Sequence, residues 1–469
     1  MTFSPRLCFL TALIIFQSAQ AEAEPPVIEV KGMLIKECSL PGETRKDDVV
    51  PRHANAIQIA SDRWCILYST HGYRGVDDER SIVYQIREAS PDGKVLKEGF
   101  LALTTNDWKP EGVPPAAEGK SYVKQHGHMT AFGVPAGAVV ADKLPEHGNL
   151  FVATWRVVGV PLIVAEKKLE RAASDPVLFA KTKAVEWCQF RLNRERNDID
   201  IVQPVQRLRQ KGFEEGERFC EAKDIAFMNA SFCPAVPFND ARSEWVIANH
   251  FDQNKIGVLK FRFNPKTKLY EWVELGPMVG DAKTRCWEAS LLHTTNEWIL
   301  ACRSNGKVAW ARSKDPLKTW SEPTFSAEPL VSAPLTCFTC ADGVVRLFTG
   351  DKAASPQKYD RDPLYCWEMT TGVEITATNR RVIFDSVVAK LPIRAEVRSK
   401  VDFCELFPLQ GKSQLIVFGV STRGYNFPYG STGIPVINQA EKDAAGIYYA
   451  TMTWKTAPAA VYNLFKGGE

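Results

Sequence analysis

Apolar and polar positions along this chain recur as one unit: a short polar turn, then a run rich in β-branched and aromatic residues. SDRWCILYST, HGNLFVATWRV, RSEWVIANHF, TNEWILACRS, ADGVVRLFTG and GKSQLIVFGV are its instances, with strands starting near Trp64, Leu150, Trp245, Trp298, Val344 and Gln414. Some of the intervals are close to the ~40–50 residues of a propeller blade, and the longer ones imply a blade plus an insertion. A blade is a small antiparallel sheet that cannot bury both faces alone, and radial stacking solves this. The pattern therefore predicts an all-β chain folded as a six-bladed β-propeller, rather than two sandwiches. One stretch breaks the pattern. From Glu166 to about Phe219 the chain turns charged, and Leu178, Phe179, Thr182 and Val185 fit a helical stripe, which predicts a short helical insertion between blades two and three.

The first 23 residues read as a secretory signal peptide: Arg6, an apolar run from Leu7 to Phe16, and small residues at Ala19, Ala21 and Ala23. The run is too short to span a bilayer. This predicts residues 24–469 as the mature propeller, secreted or periplasmic. The formal net charge is only +3, and Arg6 leaves with the leader. Such a balance offers no footprint for nucleic acid and no attraction to a membrane surface. Cys8 also leaves, and the other cysteines sit mostly in strand-like apolar runs, where they read as small buried residues. Cys337 and Cys340 have metal-ligand spacing, but residues three apart on a strand face opposite ways. Gln125-His126-Gly-His128 puts two histidines on one side of a strand, with no further ligand cluster in view. No metal or other cofactor is expected, and the molecule is expected to be a monomer.

The richest stretch is RCWEASLLHTTNEWILACRSNGKVAWARSKDPLKTWSEP, residues 285–323. Ser313-Lys-Asp315-Pro-Leu-Lys-Thr319-Trp320 within it resembles the Asp-box of sialidases and related propellers, with Leu317 where glycine is usual. That box is a turn between outer strands, in which the aspartate accepts backbone N–H groups and the tryptophan packs beneath. Ser90-Pro-Asp92-Gly93 resembles a degraded copy. The resemblance implies more. Sialidases hold the sugar carboxylate with arginines, whose planar forks suit it. They use an aspartate acid/base and a tyrosine nucleophile assisted by a glutamate. Carried over residue by residue, Pro51-Arg52-His53 supplies the first arginine and Asp77 the acid/base, with Asp78 as its alternative. Glu288 and Arg303 match the glutamate and second arginine, and Arg361 is the third, with Arg380, Arg381 and Arg394 competing. The tyrosine is missing: Phe403, in Lys400-Val-Asp402-Phe403-Cys404-Glu405, stands where it is expected, while Tyr425 and Tyr429 lie on a later segment.

Two functions follow. One is an exported sialidase-like glycoside hydrolase acting on sialic acid or another acidic sugar or glycan. The other is a non-catalytic propeller that binds carbohydrate or protein. A lyase acting on uronate polymers is a third. With Phe403 in place, hydrolysis would need an activated water, with Asp77 as acid and Glu288 or Asp402 as base.

Overall fold

In the computed structural model the chain is described from residue 25 to residue 458, apart from 37–48, 73–78, 136, 139–142, 166–167, 170–176, 179–181, 209–226, 230–233, 252–253, 282, 331–333, 355–360, 394–398, 407–411 and 423–437. The leader-like stretch, Asp77, Asp78, Arg394, Tyr425 and Tyr429 lie outside the described residues.

Six antiparallel sheets follow one another. Blade I is Val49–Ala60, Arg63–Gly72, Glu79–Glu88 and Val95–Ala102. Blade II is Lys120–Val134, Leu150–Ile163, Ala184–Asn193 and Asp198–Arg207. In blade III the short Phe227–Asn229 and Val236–Pro237 lie on Glu244–Phe251, followed by Lys255–Asn264 and Leu269–Leu275. Blade IV is Trp287–His293, Trp298–Ser304, Lys307–Ser313 and Thr324–Phe325. Blade V is Thr336–Thr339, Val345–Thr349, Leu364–Thr371 and Ile375–Phe384. Blade VI takes Ser399–Leu406, Ser413–Thr422 and Gly446–Thr453 from the end of the chain, and its outermost strand, Val27–Ile35, from the beginning. The ring is thus closed by hydrogen bonds between chain ends, which the strand repeats did not reveal.

Each turn-and-strand repeat of the sequence is the second strand of a blade. The reason these strands read as unbroken apolar runs, not as alternation, lies in the packing. Each buries both faces. In blade III, Trp245 and Ile247 enter the core shared with blade II, while Val246 and Ala248 enter the core shared with blade IV. In blade VI, Ile416 and Phe418 face blade V, and Leu415 and Val417 face blade I. Each of the six apolar cores lies between two neighbouring blades. Polar side chains stitch the same interfaces: Asn55 Oδ1 accepts Ala131 N–H at 3.1 Å, Ser290 Oγ accepts Cys337 N–H at 2.9 Å, and Gln414 Oε1 accepts Ala341 N–H at 2.8 Å. Cys337 enters the IV/V core and Cys340 the V/VI core, so that pair points apart.

The expected helical insertion is present in a shorter form and at a different place: Val177, Leu178 and Thr182 are helical, and they lie within blade II, between its second and third strands, rather than between blades II and III. Of 166–219, residues 184–193 and 198–207 are the third and fourth strands of blade II. Val185 and Trp187 face blade III, while Cys188, Phe190 and Leu192 face blade I. With an apolar partner on each side, period-two burial makes the stretch from Ala184 onward a strand, so the helical stripe stops short of Val185. Residues 209–226 lie outside the described residues.

The Ser313–Trp320 turn joins the two outer strands of blade IV. Asp315 Oδ1 accepts Leu317 N–H at 3.1 Å, its carbonyl accepts Lys318 and Thr319 N–H, and Trp320 Nε1 donates to the Pro316 carbonyl. Leu317 buries its side chain in the III/IV core. The room comes from Gly276, where a β-carbon would approach the Pro316 carbonyl to 2.5 Å. Ser90–Gly93 is the corresponding turn of blade I, with Ser90 Oγ donating to Asp92 Oδ1 at 2.6 Å.

Candidate functional site

Inner strands break register at a recurring place. In blade I, Arg52 stands opposite Ser69 and Asn55 opposite Leu67, so His53 and Ala54 face one residue. In blade IV, Trp287 stands opposite Arg303 and Ser290 opposite Ala301, so Glu288 and Ala289 do the same. Blade VI repeats this around Phe403, between Asp402 opposite Gly419 and Glu405 opposite Val417. In blade II the extra residue is His128, between Gly127 opposite Arg156 and Met129 opposite Trp155. These are β-bulges, which re-aim a side chain and are over-represented beside active sites. His53, His128 and Glu288 adopt left-handed backbone, with φ of 52°, 44° and 52°. That region is costly for residues with a β-carbon, and such strain clusters at functional sites.

The bulged residue meets the second-strand residue that stands opposite its predecessor. Ser69 Oγ lies 3.3 Å from His53 Nδ1, and the Arg303 guanidinium donates to Glu288 Oε2 as an ion pair. Arg303 also lies over the Trp287 ring, 5.4 Å from its centre, and its Nε has no hydrogen-bond partner among the described residues. His53 and His128 meet edge to face at 5.1 Å between ring centres, so the bulges of blades I and II touch. Burial works against the charge of Glu288, but Arg303 and then Arg361 outweigh it and hold the carboxyl below its ordinary range, with His128 adding to the effect. Glu288 is therefore ionised at neutral pH, which suits a base or an electrostatic group and not an acid.

The predicted residues divide as follows. Glu288 and Arg303 form one pair, and Arg361, just ahead of the third strand of blade V, acts on the same carboxylate. Two of its competitors are engaged elsewhere: Arg380 pairs with Asp351 and lies over Tyr365, and Arg381 pairs with Glu368 at 3.0 Å. Arg52 is buried immediately before the blade I bulge, in the position that Trp287 holds in blade IV. Asp77 lies outside the described residues, between Gly72 and Glu79, and Gly72 is paired with Val49 at the start of the inner strand. Phe403 is placed by its backbone alone, at the blade VI bulge. His126, expected beside His128, instead faces Glu186, which also takes Lys124 at 2.8 Å.

Residues missed in the sequence include His250, Lys183 and Arg156. His250 and Arg303 each stand five positions after the tryptophan that opens their repeat, Trp245 and Trp298, as Ser69 does after Trp64. Aligning the repeats would have found His250. Arg156 stands opposite the residue before the blade II bulge, as Arg303 does in blade IV. His250 is buried, and both its ring nitrogens lack a hydrogen-bond partner among the described residues. Burial pushes its pKa down to about 3, against the pull of Glu288 and with Lys183, His128 and Arg303 adding. It is neutral at any working pH.

No family model matches the chain, and no curated protein does. Among solved structures it is similar to the Hadza microbial sialidase Hz136, with a TM-score of 0.48 and 11% identity over 87% of this chain; the match spans 66% of that sialidase's length. A neuraminidase-like protein from a bat strain, A/bat/Guatemala, matches with a TM-score of 0.44 and 6% identity, over 94% of this chain and 98% of that one. A family 117 glycoside hydrolase from the marine bacterium Zobellia galactanivorans matches with a TM-score of 0.34 and 9% identity, over 93% and 91%. The six-bladed all-β architecture stands on the chain's own six sheets.

Proposed function

We propose that this protein is an exported, sialidase-like propeller that binds an acidic sugar, taking the carboxylate on Arg303 and Arg361 with Arg52 as a third contributor. The observation that carries this is the pairing of Glu288 with Arg303 while Arg361 acts on the same carboxylate: two guanidinium groups for one acid, with Arg303 Nε left over. A guanidinium with a spare donor beside strained backbone suits a planar anion better than a neutral ligand. Glu288 can serve as base, Asp77 is the proposed acid, and Phe403 stands at the bulge position where the resemblance calls for a tyrosine. Turnover of ordinary sialosides is therefore expected to be very low or absent.

The test is calorimetry of the purified mature protein with N-acetylneuraminate, glucuronate, galacturonate and neutral galactose, alongside fluorogenic aryl glycosides of the same sugars. Binding of at least one acid in preference to galactose, lost in Arg303→Leu, is the expected result. Equal binding of galactose, or no binding of any acid, overturns the reading. Robust wild-type hydrolysis of the sialoside with retained anomeric configuration would instead move the nucleophile away from position 403, with Tyr425 the first alternative.

A further inference from the structure

We infer that Cys286 and Cys302 are a disulfide-forming pair that fastens the Glu288 bulge to the second strand of blade IV; the bond rests on strand register, and its effect on a ligand rests on the acidic-sugar reading. Cys302 is the single residue that faces Glu288 and Ala289, between Trp287 opposite Arg303 and Ser290 opposite Ala301. Cys286 lies two residues before Glu288, and Cys302 directly before Arg303. Alternation along the second strand sends Trp298, Leu300 and Cys302 into the core shared with blade III, and Cys286 and Ala289 enter that same core. Both cysteines are fully buried, and their thiols are hydrogen-bonded to each other. The backbone of Cys286 is held in place, its N–H donating to the Asn254 carbonyl at 2.7 Å. Cys337 and Cys340, by contrast, lie in different cores.

The bond would sit where the sheet is weakest. A bulge interrupts the ladder, and Glu288 within it holds left-handed backbone with φ of 52°. An S–S bond between the two flanks supplies the missing tie and keeps Glu288 against Arg303. Disulfides form and persist in the oxidising compartments that exported proteins enter. In the finished fold the hydrogen bond to Cys286, and then burial, push the Cys302 thiol up, and a protonated thiol does not attack a disulfide. The bond therefore forms while the sheet assembles and both thiols still meet solvent. The oxidant is itself a disulfide, that of an exported oxidoreductase or of glutathione. One cysteine thiolate attacks it and releases one partner thiol; the second cysteine then displaces the other. The chain gains one S–S bond and gives up two hydrogens with their electrons, and the partner leaves as two thiols.

The experiment compares the full chain exported with its own leader, and the mature chain refolded from urea either with oxidised and reduced glutathione or with excess dithiothreitol. Each preparation is unfolded, alkylated without reduction and cut with trypsin. Arg285 and Arg303 bound a single tryptic peptide that holds both cysteines. It should be unalkylated and two hydrogens light in the exported and glutathione-refolded protein, and doubly alkylated after dithiothreitol. By calorimetry, the oxidised form should bind the preferred acid among N-acetylneuraminate, glucuronate and galacturonate about fivefold more tightly than the reduced form, since Glu288 and Arg303 are then held in place before the ligand arrives. Its urea midpoint should be higher. In Cys302→Ala the affinity should be the same in both buffers. Two alkylated cysteines in both oxidised preparations overturn the inference. So does a linked peptide whose reduced form binds the acid equally well, which leaves the bond without influence on the site. The peptide mass is read on wild type, so it stands whether or not the variant folds. If neither form binds any of the three acids, the acidic-sugar reading fails and takes the effect on binding with it, while the peptide mass decides the bond by itself.

Discussion

Arg346 in blade V and Arg303 in blade IV are both arginines paired with an acid, and they are built for opposite ends. Arg346 is almost wholly enclosed. Its fork donates to both Asp342 oxygens at 2.7 Å, Glu368 lies at 3.5 Å, and Trp454 Nε1 donates to Asp342 as well. Burial opposes the charge of Asp342, but Arg346 more than compensates and its carboxyl is held low. Arg303 uses one end of its fork on Glu288, leaves Nε without a described partner, and answers an acid that itself sits on left-handed backbone within a second arginine's field. A saturated pair ties the blades V and VI together; an unsaturated one keeps binding capacity in reserve. The same residue type thus reads as structure or as site according to how many of its donors are already used.

The comparison breaks most visibly if the saturated pair is cut. Asp342→Leu leaves Arg346 buried with a charge that Glu368 only partly answers, and removing one partner of a buried pair costs about 3–5 kcal/mol. Urea unfolding should show that loss, with acidic-sugar affinity in the folded protein unchanged. Arg303→Leu should do the reverse. Stability should move by no more than about 1 kcal/mol, the range of a partly exposed pair. Binding of the preferred acidic sugar should weaken by about 30-fold or more, equivalent to losing a charge-assisted contact of about 2 kcal/mol. If both variants lose stability alike and binding alike, the distinction between the two arginines is empty.

Acid should also separate the regions, by a smaller amount. His250, His147 and His293 all titrate below the ordinary histidine value because burial disfavours the imidazolium. Glu288, Asp342 and Glu244 titrate below the ordinary carboxylate value, their cationic partners outweighing burial. For every one of them the unfolded chain binds protons more readily than the folded one. Stability is therefore fullest above about pH 6.5, the unfolded histidine value, and falls as pH drops. Between pH 6.5 and 5 only the histidines contribute appreciably, and the loss should be on the order of 1–2 kcal/mol. His250→Asn should flatten that part of the curve. A urea midpoint constant from pH 7 to pH 5 would mean that His250 is not held neutral by its surroundings.

Blade number and the position of each second strand were legible because burial on both faces writes a long apolar run into the sequence, as in Trp298–Cys302. Short inner strands left less trace. Thr336–Thr339 and Phe227–Asn229 have too few residues to declare a period. The closing strand Val27–Ile35 was invisible as such, since its pairing with Gly446–Thr453 is a contact between chain ends. For the site, Glu288 and Arg303 were readable from their local setting, and Arg361 from an arginine ahead of a strand. His250, Lys183 and Arg156 were not sought, because they match no motif. His250 and Arg156 take their places through register, and register appears only when the repeats are laid over one another. The bulge at Glu288 is likewise silent in Trp-Glu-Ala-Ser.

A third acid extends the scale from Asp342 and Glu288 to its weak end. Asp315 lies in the outer turn of blade IV, far along the chain's radial order from the bulges. Its carboxylate accepts Leu317 N–H at 3.1 Å and meets Lys318 at 3.1 Å, but the lysine side chain is 78% exposed. A pair so open to water contributes little, because solvent screens it and the lysine loses freedom in making it. The hydrogen bond to the turn is worth about 1 kcal/mol, as a side chain satisfying a backbone N–H is at a helix cap. Asp315→Ala should therefore lower stability by about 1 kcal/mol, and Lys318→Ala by less than about 0.5 kcal/mol. Neither should alter sugar affinity. A lysine variant as damaging as the aspartate variant would show that the ion pair, not the turn, holds this corner. A loss of affinity in either would show that the outer edge of the blade is mechanically linked to the Glu288 bulge, so the sorting of acids by the donors around them would no longer separate scaffold from site.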